Sequence, residues 1–250
     1  MRLTGNTIFI TGGGSGIGRS LAAEFHKRGN TVIIAGRRKE RLEQTVNEFP
    51  GMHYVVLDVE SPENIRKVVK QLIADFPQLN VLINNAGVMQ LDDLSKEVHE
   101  NVLTSTITTN LLGPIRITSE LIEHLKKQDS AYVLNVSSVL AFMPLTISGI
   151  YSATKAAMHS YSLSLRYKLN NSSVKVLEII PPWVQTDLLN SSEEPRAMPL
   201  KTFIAETMEA LATDANEILV EFARPLRNNV GPQDEQSVAE FNDAFFAAPV

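Results

Sequence analysis

Short runs of apolar and β-branched residues recur at 7–10, 31–35, 54–57, 81–83, 131–136 and 174–180, separated by longer stretches with helical periodicity, as at 17–27 and 63–75. This alternation constrains the fold more than any other feature. A strand that is apolar along its whole length needs cover on both faces. A parallel neighbour also needs a long crossover to bring the chain back to the same edge, and an amphipathic helix supplies both. The pattern predicts an α/β fold, doubly wound, with a mainly parallel sheet and helices on both faces.

The 250 residues suit one large domain, and 44% hydrophobic composition supplies its core without staples. No repeat, low-complexity segment or Pro/Gly-rich linker divides the chain, so 1–250 reads as a single domain. Within it, about 188–250 reads as a loop and helix region with a C-terminal tail, placed to cover a substrate pocket, cap the core or meet another subunit. It holds an exposed loop at 190–199, a helix near 201–212, a last strand at 217–222 and a tail helix at 232–246.

Net charge is -5 with no long block of one sign, which speaks against nucleic acid. The absence of cysteine excludes disulfides, thiolate metal sites and cysteine nucleophiles, and fits a reducing compartment. No apolar run approaches the roughly 18 residues a membrane helix needs, and no signal peptide is visible. No membrane insertion and a cytoplasmic location are expected.

The first strand runs into Thr11-Gly12-Gly13-Gly14-Ser15-Gly16-Ile17-Gly18, and a helix follows. Glycines let the backbone turn tightly and approach a phosphate, and the helix N-terminus offers free N–H groups to it. The spacing is Gly12-xxx-Gly16-x-Gly18 rather than the commoner G-x-G-x-x-G turn. A bare tight βα turn is the simpler reading, but the strand–loop–helix context favours a dinucleotide. After the second strand come Gly36-Arg37-Arg38. Sites for NAD usually carry an acid there. Gly36 repels no 2′-phosphate, and Arg37 and Arg38 can pair with one, so NADP(H) is favoured over NAD(H). A solvated basic helix start is the plainer alternative.

Tyr151 and Lys155 stand four apart in Tyr151-Ser152-Ala153-Thr154-Lys155, and Ser138 lies thirteen positions before the tyrosine. On a helix, positions i and i+4 share a face. A nearby ammonium favours the phenolate and makes the phenol a usable general acid or base. Such a pair is often only a half-buried ring beside a solvated amine.

Taken together, these motifs resemble the short-chain dehydrogenase/reductase family, in its single-domain branch with a Rossmann-like fold. The resemblance covers roughly 5–190 and runs in the family order: the glycine turn, Asp58-Val59, Asn84-Asn85-Ala86-Gly87, Asn110, Ser138, Tyr151-xxx-Lys155 and 181–186. It implies catalytic roles for Asn110, Ser138, Tyr151 and Lys155. Asn110 would hold a water of the proton relay, Ser138 the substrate carbonyl. Tyr151 would be the acid/base, and Lys155 would bind the nicotinamide ribose and lower the tyrosine's pKa. It implies cofactor contacts at Gly12, Ser15, Gly16, Ile17, Gly18, Arg37, Arg38, Asp58, Val59, Asn84, Ala86, Gly87, Tyr151, Lys155, Pro181, Val184 and Thr186. Ser137 competes with Ser138 but lacks the family spacing. Where the family commonly has Pro-Gly, this chain has Pro181-Pro182-Trp183, a stiffer loop with one donor fewer. This loop, 196–200 and the tail from 228 to 245 resemble a bacterial subgroup named after a protein of the D-alanylation operon for teichoic acids.

The implied reaction is hydride transfer between NADP(H) and a small carbonyl or alcohol, with Tyr151 as general acid/base. A dinucleotide-binding regulator or scaffold with little turnover is the alternative, and an epimerase or dehydratase would need a further C-terminal substrate domain. The helices around 100–126 and 151–169 resemble the family's subunit interface and imply a homodimer or homotetramer. No metal is expected: His26, His53, His99, His124 and His159 show no ligand spacing. Asp92 and Asp93 read as caps of the helix that follows them.

Overall fold

The computed structural model describes residues 1–228, 231 and 233–247. Positions 229, 230, 232 and 248–250 of the expected substrate-side region lie outside these residues. Strands β1 (Thr7–Thr11), β2 (Thr31–Gly36), β3 (His53–Val56) and β4 (Leu79–Asn84) alternate with helices α1 (Gly16–Lys27), α2 (Lys39–Glu48) and α3 (Pro62–Asp75). Then follow α4 (Glu100–Ile107), α5 (Gly113–Leu125), β5 (Ala131–Val136), α6 (Gly149–Lys168) and β6 (Val174–Ile179). The chain closes with α7 (Leu200–Leu211), β7 (Glu217–Ile218), α8 (Arg224–Asn228) and α9 (Asp234–Ala247).

Among the described residues the strands form one seven-stranded sheet in the order β3-β2-β1-β4-β5-β6-β7, and every pairing is parallel. The alternation of apolar strands with helices therefore folds as the doubly wound α/β sheet it predicts. Successive side chains of a strand point to opposite faces. Ile8 and Ile10 join Val81 and Ile83 in a core sealed by Leu21 and Phe25 of α1 and Phe203 and Leu211 of α7. Phe9 and Leu82 join Val133 and Val176 in a second core sealed by Leu72 of α3 and Leu121 of α5. Strand order reverses between β1 and β4. The loops after them part at the carboxyl edge and leave the crevice where ligands of such sheets bind.

Local chemistry sets several boundaries. Ser61 caps α3 by accepting from Asn64 N at 3.2 Å, with Pro62 in the first turn. The expected helix over 100–126 is interrupted: Thr108–Leu112 form a π turn between α4 and α5. The expected last strand over 217–222 shrinks to Glu217–Ile218, and Glu221–Ala223 form a 3-10 turn. The tail helix spans Asp234–Ala247.

Candidate active site

The turn after β1 is built to lie close to its neighbours. Gly12 has φ +68°, and a Cβ there would stand 2.9 Å from Ala86 Cα. A Cβ on Gly18 would stand 2.4 Å from Gly12 O. Asn85 locks this turn to the one after β4. Its Nδ2 donates to Thr11 O at 3.0 Å and Gly12 O at 3.3 Å, while the backbone N–H groups of Asn85 and Ala86 both donate to Thr11 Oγ1 at 3.0 Å. Ser15 caps α1 without a side-chain hydrogen bond, so the first N–H groups of α1 are not claimed by it.

The remaining expected cofactor residues divide into two groups. Arg38 Nη2 reaches Ser15 Oγ at 3.4 Å, beside the turn, whereas Arg37 is drawn to Glu60 at 3.0 Å. Thr186 packs on Gly16, with its Cγ2 3.4 Å from where a Cβ would sit. Ile17 lies in the first turn of α1. Pro181 O accepts from Val139 N at 3.0 Å, and Val184 pairs with Met198 in an isolated parallel bridge. Asp58 accepts from Glu60 N at 3.0 Å. Val59 is buried, its carbonyl 2.9 Å from a Cβ placed on Gly113. Gly87 borders two of the expected catalytic residues: a Cβ there would be 3.4 Å from Asn110 Oδ1 and 3.9 Å from Lys155 Nζ. Asn84 sits apart from these. Its side chain turns beneath the sheet, donating to Thr118 Oγ1 at 3.0 Å and Asn135 Oδ1 at 2.9 Å. It braces strands instead of facing the crevice.

Tyr151, Lys155, Ser138 and Asn110 converge at the carboxyl edge of β4 and β5. Ser138 follows β5, accepts from Leu140 N at 3.1 Å, and lies near enough to Tyr151 to favour its ionised form. Ser137 points away, its Oγ 3.5 Å from Ile179 O. Lys155 Nζ lies 5.3 Å from the Tyr151 ring centre and donates to Val136 O at 2.8 Å. Asn110 occupies the π turn, and its amide clamps the backbone of Val88 with two 2.8 Å hydrogen bonds. π turns often mark functional sites. Asp92 departs from its expected role. It caps α6, accepting from Gly149 N and Ile150 N at 3.0 Å each, and so fixes the start of the helix that carries Tyr151.

The electrostatics also differ from the expectation that Lys155 lowers the phenol. Burial raises the Tyr151 pKa, opposed by the nearby Ser138 hydroxyl. Burial lowers Lys155 to about 8, opposed by the nearby charge of Glu178. Desolvation acts against the charged form of each, and at 5.3 Å from the ring the amine does not overcome it. A cavity of about 830 Å³ lies against the Gly149, Ser152, Ala153 and Ala156 face of α6. Tyr151 and Lys155 occupy another face of that helix, and Leu140, two residues after Ser138, lines the cavity's wall.

The profile of the short chain dehydrogenase family matches residues 6–197. The chain belongs to that family. It is an NAD(P)-dependent oxidoreductase of the short-chain dehydrogenase type. An uncharacterized oxidoreductase of Bacillus subtilis, DltE, is 36% identical over 234 residues, covering 91% of this chain and 93% of the relative. An uncharacterized oxidoreductase of Staphylococcus aureus is 33% identical over 186 residues, covering 74% and 80%. The structure of a short-chain dehydrogenase from Streptomyces avermitilis superposes with TM-score 0.82 at 25% identity, covering 99% of each chain. A Burkholderia cenocepacia short chain dehydrogenase in complex with NADP gives 0.81 at 22% identity over the whole of both chains.

The residues present fit the dinucleotide such dehydrogenases use. The turn at Gly12 and Gly18 leaves no room for side chains, and the helix start carries no side-chain cap. Two residues outside the expected set matter to this geometry. Asn85 holds the two turns together, and Asn242 of α9 anchors the tail beside the site. Asn242 Oδ1 accepts from Thr146 N at 2.8 Å, and its Nδ2 donates to Pro144 O at 3.0 Å. That anchoring brings Phe245 to 5.6 Å from Trp183, with the Arg196 guanidinium 5.1 Å from the Trp183 ring and 5.4 Å from that of Phe245. The Arg196 guanidinium also holds the Glu194 carboxyl at about 2, well below the usual range.

Proposed function

We propose that this dehydrogenase uses NADP(H) to interconvert a small carbonyl compound and its alcohol, with Tyr151 as general acid/base. The observation that carries the reading is the gathering of Ser138, Tyr151 and Lys155, with Lys155 Nζ 5.3 Å from the Tyr151 ring centre and Gly87 at its border. When bound, the nicotinamide supplies or accepts the hydride. Ser138 Oγ and Tyr151 Oη bind the substrate oxygen, and Tyr151 Oη gives it a proton as the carbonyl is reduced. Burial suits that task in the reducing direction, because it keeps the proton on the phenol until an alkoxide forms next to it. The Lys155 ammonium stabilises the phenolate left behind. Asn110 holds the loop at Val88 so that Gly87 and Lys155 keep their spacing.

Gly12, Ser15, Gly16, Ile17 and Gly18 would cradle the pyrophosphate, and Arg38, within 3.4 Å of Ser15 Oγ, would answer a 2′-phosphate. Arg37 supports that preference less, because Glu60 already claims it. Solved relatives with NADP and with NAD both occur, so the preference rests on Arg38 and on Gly36, which has no carboxylate. Asp58, Val59, Ala86, Gly87, Pro181, Val184 and Thr186 would line the remainder of the cofactor. Apolar Val88, Leu140 and Trp183 favour a neutral or partly hydrophobic substrate. Exposed Leu163 and Tyr167 on α6 support assembly as a homodimer or homotetramer. A chain without cysteine supports a reducing location such as the cytoplasm.

Tyr151→Phe tests the central role. NADPH consumption across a panel of aldehydes and ketones is expected to fall at least a hundredfold, in line with the loss of a general acid. NADPH binding, followed by its fluorescence, should stay within about threefold. Turnover at the wild-type rate in the variant would remove Tyr151 from the mechanism.

A further inference from the structure

A line of polar side chains crosses the sheet beneath α6, where the neighbouring strand positions are apolar. In register, Asn84 pairs with Asn135, Asn135 with Glu178, and Glu178 with Glu217. Asn135 Nδ2 donates to Ser162 Oγ of α6 at 2.9 Å. Glu178 is the conspicuous member of the line. It is 0% exposed, its Oε2 is 2.9 Å from His159 Nδ1, and its Oε1 has no partner among the described residues. An isolated carboxylate at such a place is costly, so its charge needs an answer from nearby.

The charged and titratable groups around it are few. From α6 come Lys155, His159 and Arg166, from β7 comes Glu217 and from α8 comes Arg227. Arg227 makes two hydrogen bonds to Glu217, at 2.8 and 3.0 Å. Arg166 spends its Nε on Val176 O at 2.9 Å. His159 touches Glu178 directly, while the charges of Lys155 and of Arg227, itself tied to Glu217, also act on it. Lys155 Nζ is anchored on Val136 O, and Val136 pairs with Ile179, the residue next to Glu178. Lys155 and His159 are one helical turn apart on one face of α6.

We propose that Glu178, held by His159, is a positioning residue that keeps Lys155 in its ammonium form and thereby sets the alkaline limit of the reaction. Burial of the amine opposes its charge, and Glu178 is the group that opposes burial. The part concerning the alkaline limit rests on the Tyr151–Lys155 reading above. The part concerning the ammonium does not, because it can be read in the protein without cofactor or substrate. One atom each of His159, Glu178 and Glu217 also lie within 4.8 Å of one another, as ligands of a cation would. The two hydrogen bonds from Arg227 to Glu217 argue against that use.

The full-length protein labelled with 15N-lysine gives the direct measurement. The Lys155 Nζ signal, assigned by its loss in Lys155→Met, is titrated by NMR. Glu178→Gln is expected to lower its midpoint by about one pH unit. Glu178→Asp, which keeps the charge but withdraws it, should fall between Gln and wild type, and it carries the test alone if the Gln variant does not fold by circular dichroism. The alkaline limb of kcat/KM, measured on whichever carbonyl of the panel is turned over, should move down by the same amount. An unchanged Lys155 midpoint, or an unmoved limb, overturns the proposal. So does a rise in melting temperature with stoichiometric Zn²⁺ or Mn²⁺ that is lost in Glu178→Gln, since a cation would then be the partner. A shifted midpoint together with an active Tyr151→Phe variant would instead overturn the catalytic reading.

Discussion

Two adjacent arginines, alike in sequence, are set apart by one acidic neighbour. Arg37 is held at 3.0 Å by Glu60, which also accepts from Thr109 Oγ1, and Arg38 leans toward Ser15. If Arg38 answers a 2′-phosphate, its charge-assisted hydrogen bonds are worth about 1.5–3 kcal/mol. Arg38→Ala should therefore raise the NADPH Kd about 10- to 100-fold and leave NADH within about threefold, while Arg37→Ala should do much less. Fluorescence titration with both cofactors checks this, and equal losses for the two would refute the role. The sequence made Tyr151 and Lys155 legible because four residues on a helix is a local relation. Asn85 and Glu178 were not legible in this way. What Asn85 does depends on a turn more than seventy positions away, and what Glu178 does depends on strand register. The direction of the Asn84 amide was not legible for the same reason, because only the pairing with Asn135 shows it.

At the level of elements, strands and helices announced themselves through periodicity, and the departures occur where tertiary contacts override it. The π turn at Thr108–Leu112 lies within a stretch that reads as continuous helix, and β7 keeps only Glu217–Ile218 because the chain turns away toward α8. The apolar spacing of the tail gave α9, but its docking depends on a polar residue that periodicity ignores. Asn242 is 6% exposed and ties α9 to the loop at Pro144 and Thr146. Asn242→Ala should strand these backbone partners and cost about 1–3 kcal/mol of local stability. We expect faster hydrogen exchange across 234–247, with Trp183 emission shifting to the red as Phe245 leaves its ring. NADPH affinity should stay unchanged, because Asn242 touches none of the proposed cofactor contacts. Unaltered exchange in the tail would mean that other contacts hold α9.

For the molecule as a whole, the question is whether the region after β6 folds with the sheet or merely rests on it. The core answers through its membership. Phe203, Met208 and Leu211 of α7 share one apolar cluster with Ile8 and Ile10 of β1 and Leu177 and Ile179 of β6. The first strand and the late helix therefore bury each other, and removing either exposes the other. We accordingly expect the described residues to unfold as one cooperative unit, although a chain of 250 residues exceeds the length at which two-state unfolding is usual. The single tryptophan supplies a local probe. Trp183 lies on the loop stitched to Met198, so its fluorescence reports the late region, and far-UV circular dichroism reports the whole. In urea the two transitions should coincide. Phe203→Ala, which empties a site 1% exposed, should cost about 3–5 kcal/mol and lower both midpoints together. A fluorescence transition that moves ahead of the dichroism in this variant would divide the chain into two units, the second beginning after β6.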